Sequence, residues 1–196
     1  VVINVSDHHT RVSAQARGGA SEGSSDRVFG VLIGQQVGRR VEVANSFEIK
    51  VVKNAAGEFE PVQAWLQTRL EQYLKNFPSY EMIGWYSTAS DVQPGDLAIH
   101  SQLSEVNENL LYLLLDPVQA LVPGNRDLPI KLHESELHVV DDTPTTVFTP
   151  VPYVIDSIES ERIAVDHVAH ILPSGDSSSG SALAQHLGTQ YTAMSV

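Results

Sequence analysis

Three short, almost unbroken apolar runs, Val28–Ile33, Met82–Tyr86 and Leu110–Leu115, constrain this chain more than any other feature. Each has the length of a strand, and none alternates with polar residues. A strand with one wet face alternates, whereas a strand covered on both faces does not. The runs therefore predict the interior of a single sheet with helices packed on both sides. A chain of 196 residues is long enough to bury such a core. The expected class is α/β: one mixed sheet flanked by helices.

The intervening segments supply the covering elements. Val1, Val5, His8 and Val12 follow a helical period, so residues 1–16 predict a helix, with a strand over Val1–Val5 as the rival reading. Arg17 to Asp26 is rich in Gly and Ser and reads as a loop. Arg40–Phe47 alternates and follows a short turn at Gln36–Gly38, which predicts an antiparallel hairpin with the first apolar run. Pro61 is expected to open a helix carrying Val62, Leu66, Leu70, Tyr73 and Phe77 on one stripe, closed by Pro78. Asp96 is the expected N-cap of a helix running to about Glu108. Residues 129–136 and 146–155 alternate as paired strands around Asp141-Asp142-Thr143-Pro144, and residues 158–171 look helical. The expected division is a domain core over 1–172, a Ser/Gly linker over 173–181 and the start of a further helix over 182–196.

The charge balance narrows the function classes. The net charge is −12, and it is uneven. Residues 1–98 carry nine Lys/Arg against eleven Asp/Glu, and residues 99–196 carry three against thirteen. Such a surface repels phosphate backbones, so nucleic acid is not an expected partner. A basic protein partner would complement it, and plain solubility is the competing reading. No apolar run approaches the roughly 20 residues of a membrane span, and no signal peptide is visible. The absence of Cys removes disulfides and Cys-ligated zinc.

Candidate chemistry centres on Gly84-Trp85-Tyr86-Ser87-Thr88-Ala89, where a buried strand ends in a polar loop. Ser87 with His100 as its base would be a hydrolase pair, but no Gly-x-Ser-x-Gly turn surrounds Ser87 and no Asp is evidently placed to orient the imidazole. His167 and His170 lie three apart on the late helix and would need a third ligand such as His133 or His138; a partly buried and a solvated His is the plainer reading. His8 and His9 are adjacent, so on a helix their side chains diverge.

The strand end, together with Arg27-Val28-Phe29-Gly30-Val31-Leu32-Ile33-Gly34, resembles the MPN/JAMM family of zinc isopeptidases. Active members carry a Glu base where this chain has Arg27, two His ligands where it has Ser87 and Ala89, and a Ser and an Asp where it has Leu97 and His100. A catalytic zinc needs about three protein ligands and an open position for water. Ser87 is a poor ligand, Ala89 and Leu97 are none, and Arg27 would repel the ion. The resemblance implies an MPN domain with no catalytic residues, no metal and no cofactor, on a cytidine-deaminase-like three-layer fold that lacks the strand usually preceding the first helix. Glu42-Val43-x-Asn45-Ser46-Phe47, Leu115-Asp116-Pro117 and Glu161-Arg162-Ile163-Ala164-Val165-Asp166-His167-Val168 extend it along the chain. These runs are most similar to the subunit-six branch of the COP-nine signalosome, ahead of the inactive subunits of the proteasome lid and initiation factor three.

That branch implies a scaffold role in the cytoplasm and nucleus. Its members pair with the catalytic MPN subunit that removes a ubiquitin-like modifier from cullins, and so act on cullin-RING ubiquitin ligases. They reach other subunits through C-terminal helices. Val1, Val5 and Val12 on the first helix and Trp65, Leu66 and Tyr73 on the second are the expected partner-facing residues, with a homodimer as an expected substitute contact. Two other classes compete: an isopeptidase or hydrolase with an altered site, and a module that binds the modifier without cutting it.

Overall fold

A computed structural model describes residues 1–18, 27–54, 57–121, 128–140, 143–157, 159, 161–163 and 166–167. The elements are α1 (Val2–Gly18), β1 (Phe29–Val37), β2 (Arg40–Glu48), β3 (Val51–Lys53), β4 (Phe59–Pro61), α2 (Gln63–Asn76), β5 (Glu81–Thr88), α3 (Asp96–Leu103), β6 (Leu111–Leu115), β7 (Ile130–Val140) and β8 (Thr143–Pro150). Six strands form one sheet in the order β2-β1-β5-β6-β7-β8, and β3 and β4 pair separately. Among the described strands only the β5–β6 pair is parallel, with α3 as its crossover. The three apolar runs fill the adjacent positions β1, β5 and β6, as expected of strands covered on both faces.

The covering is unequal. On one face, Val2 and Val5 of α1 bury against Val28, Leu32, Ile83, Tyr86, Leu113 and Leu115. On the other, Leu66 of α2 and Ile99 and Leu103 of α3 bury against Val31, Ile33, Met82, Trp85, Tyr112 and Leu114. Met82 and Trp85 share a face although three residues apart, which breaks the two-residue period. Leu32 pairs with Gly84 while Ile33 pairs with Met82, so Ile83 is bulged out of the ladder and the phase shifts there. A polar contact also fixes α1: Nδ1 of His8 lies 2.9 Å from the Tyr86 hydroxyl. Its Nε2 is 3.4 Å from Glu48, which also pairs with Arg11.

Several boundaries differ from the expectation. Pro61 does not open α2. It ends β4, opposite Val51, and Val62 caps the helix, its carbonyl accepting from the Trp65 and Leu66 amides. A proline at the end of an outer strand removes no ladder donor, which is why it is tolerated there. Asp96 is the first residue of α3 rather than its cap, and the helix stops at Leu103, not Glu108. Ser104 ends it by turning both its amide and its hydroxyl onto the His100 carbonyl. Asn107 then ties the following loop to the Met82 carbonyl. Residues 151–157 are irregular where a strand was expected to Ile155. Of the late helix, residues 159, 161–163 and 166–167 are helical, and the linker and final helix lie outside the described residues.

The six partner-facing candidates all turn toward this chain's own core. Val5 and Leu66 are fully buried, with 0% exposure, so neither presents a surface to a partner in this fold. Helical period locates a stripe but not its occupant, and here the sheet occupies both stripes. Val1, Val12, Trp65 and Tyr73 are half-buried at the edges of the same packing.

Candidate functional site

The ends of β1, β5 and β6 converge on the first turn of α3, and a buried polar cluster fills the junction. Arg27 precedes β1 and sends its guanidinium into it. Its Nη2 donates to Asp96 Oδ1 at 2.6 Å, to Ser87 Oγ at 2.7 Å and to the Tyr112 hydroxyl at 3.0 Å. The Tyr112 hydroxyl donates to Asp96 Oδ2 at 2.7 Å and lies 2.8 Å from Ser87 Oγ. The Gln93 amide gives Asp96 Oδ2 a further bond at 2.8 Å. The Asp96 side chain has no exposure and that of Arg27 only 11%. A carboxylate at a helix N-terminus is favoured by the helix dipole, and burial makes its cation partner obligatory.

Aromatic packing holds the cluster. Trp85 stacks on Tyr112, with ring centres 4.0 Å apart and planes at 8°, and the Arg27 guanidinium lies 5.0 Å from the Phe29 ring centre. Burial, the largest cause, and the adjoining Asp96 charge push the Tyr112 hydroxyl far up, so it stays protonated. Because that proton goes to Asp96, the Tyr112 oxygen is left to accept from Ser87. The Ser87 hydroxyl thus faces a phenol and a cation, not a base.

His100 takes no part in that network. Its Nδ1 accepts from Trp85 Nε1 at 3.0 Å, and burial lowers its proton affinity, which fits a neutral acceptor. The Ser87–His100 pair weighed in the sequence is therefore not formed: each group is bonded elsewhere. Ala89 continues the β5–β6 pairing through its amide to the Leu115 carbonyl. Leu97 is half-buried on α3. The structure thus brings Arg27 and Ser87 together, and keeps Ala89, Leu97 and His100 out of the polar contacts around them.

A zinc ion does not fit this donor set. Arg27 places a fixed positive charge among the oxygens, and only Asp96 among them is anionic. Among the described residues no group of three or more His, Cys, Asp and Glu side chains is disposed to hold a metal. His138 pairs with Glu136 and His133 lies against the Tyr112 ring, while His170 falls outside the described residues. Asp96 and Tyr112 were missed in the sequence. One signal was available: an arginine beside a buried strand needs a nearby acid, and Asp96 adjoins Leu97, a position already singled out.

The buried histidines give the fold an acid limit. Burial is the first cause of lowered proton affinity in His8, His100 and His133. The unfolded chain, with ordinary values near about 6.5, then binds more protons than the folded one as pH falls. Their contribution is fully present above about pH 6.5 and is lost as pH falls below it toward the folded-state values. Urea midpoints should drop between about pH 7.5 and pH 5.5; a flat or rising midpoint would contradict the burial of these rings.

Comparison with known proteins places these observations. Residues 1–109 match the family described as "JAB1/Mov34/MPN/PAD-1 ubiquitin protease". COP9 signalosome complex subunit 6 of Oryza sativa subsp. japonica is 45% identical over 201 residues, covering 99% of this chain and 60% of that protein. The Dictyostelium discoideum protein of the same name is 44% identical over 199 residues, covering 100% of this chain and 59% of its own length. The Drosophila melanogaster protein is 36% identical over 195 residues, covering 99% and 54%. The chain thus spans about three fifths of the length of the first of these relatives. No described helix is long and apolar enough to cross a membrane.

Proposed function

Because this chain belongs to the JAB1/Mov34/MPN/PAD-1 family, we propose that it acts there without catalysis, as a signalosome subunit of the subunit-six type. The carrying observation is Arg27, whose guanidinium bonds Ser87, Asp96 and Tyr112 where the resemblance puts a catalytic Glu and a zinc ligand. A guanidinium cannot accept a proton at neutral pH, and Ser87 has no base. The names of the relatives support assembly into a multi-subunit complex. In this reading the partner is the catalytic MPN subunit, and the joint activity is removal of a ubiquitin-like modifier from cullins. Val1, Val12, Trp65 and Tyr73 remain the candidate edges for that contact, and the subunit works in the cytoplasm and nucleus.

The test is reconstitution. Mixed with the catalytic MPN subunit, the chain should form a one-to-one complex by solution mass. Ser87→Ala within the assembled complex should leave turnover within a few-fold of the parent. A loss of a hundredfold or more with assembly intact would mean Ser87 takes part in chemistry. Failure to associate at micromolar concentration would remove the scaffold reading.

A further inference from the structure

We propose that Ser87, Asp96 and Tyr112 form a receptor for a guanidinium ion, and that Arg27 is a tethered cation occupying it in place of the metal around which active members of the family build their site. This goes beyond the scaffold reading and rests on it only in taking the site as non-catalytic. Three oxygens from β5, α3 and β6 converge on one nitrogen, at 2.6 to 3.0 Å. Two of them are neutral hydroxyls and one belongs to a carboxylate, so the receptor carries a single negative charge. Its proton directions are set from within: Tyr112 donates to the far oxygen of Asp96. The near oxygen of Asp96 is left for an added cation. The Phe29 ring lies beside the guanidinium, a contact that favours a flat, weakly hydrated cation. A bare divalent ion would find one carboxylate and two neutral oxygens, which is a poor set for zinc.

The fold consequently depends on this cation as a metal-bound domain depends on its ion. With Arg27 trimmed, Asp96 is left buried with no cation beside it, keeping only its bonds from Tyr112 and the Gln93 amide, and the site is open to a free guanidinium that brings one nitrogen to the three oxygens. Occupancy by such an ion would stabilise the folded state by mass action.

The experiment follows the melting temperature of the purified chain. Arg27→Ala should lower it by roughly 6–20 °C. Millimolar methylguanidinium chloride should raise the melting temperature of Arg27→Ala but not that of the parent, whereas equal methylammonium chloride or sodium chloride should not. Arg27→Ala combined with Asp96→Asn should regain most of the loss, because no uncompensated charge remains. If Arg27→Ala alone does not fold, recovery of a cooperative melt in the double variant and in methylguanidinium carries the same meaning. An unchanged melting temperature in Arg27→Ala, equal responses of variant and parent to methylguanidinium, or additive losses in the double variant would overturn the proposal. The readout is thermal, so failure here leaves the association test untouched, and the reverse also holds.

Discussion

Gly84→Ala is expected to destabilise this domain by about 3 kcal/mol or more, at the upper end of overpacking effects. Gly84 pairs with Leu111 across the parallel β5–β6 ladder. A Cβ on Gly84 would sit 2.4 Å from the Leu111 carbonyl oxygen and 3.1 Å from its carbon. Those atoms are backbone, fixed by the ladder, so no side chain can turn aside to make room. Relief would require β5 and β6 to separate. Trp85 and Ser87 hang from one of these strands and Tyr112 from the other, so separation would also pull apart the partners of Arg27. Gly95→Ala is the control, since its added carbon meets nothing within 4 Å. Urea unfolding of both variants checks the claim. Similar midpoints for the two would mean that β5 and β6 are not paired in this register.

Val5→Asp is expected to cost about 3–5 kcal/mol, enough to unfold many domains. Val5 is fully buried between α1 and the sheet, beside Leu32, Ile83 and Tyr86. An aspartate there would bring a carboxylate into a site where Leu32 and Ile83 offer no hydrogen bonds and the Tyr86 hydroxyl is already held by His8. The helical period alone made Val5 a candidate for docking a second protein, in which case the same change would have spared the fold and weakened only association. Asn4→Asp, at an exposed position on the same helix, is the comparison. Circular dichroism melts distinguish the outcomes: loss of the cooperative transition in Val5→Asp alone supports the packing, and parent-like melting of both variants contradicts it.

The amino-acid sequence by itself determined the layered class, because three almost unbroken apolar runs of strand length read as sheet interior. It also determined the β1–β2 hairpin and the chemical character of Ser87, Ala89 and Leu97, none of which is a good zinc ligand wherever it lies. These readings depend on local period and on residue identity, both of which are written along the chain. The tertiary structure decided what surrounds Arg27 and what covers each helix. Arg27 meets Ser87, Asp96 and Tyr112 across 60, 69 and 85 positions, and no local pattern encodes which strand ends meet. Pro61 reads as a helix start in the sequence, and only its pairing with Val51 makes it a strand end. The bulge at Ile83 depends on the register with β1, which a single strand does not contain. For the same reason Val5 and Leu66 read as available stripes in sequence and are buried in the fold: a helix carries its apolar face everywhere, and only packing chooses the surface that closes it.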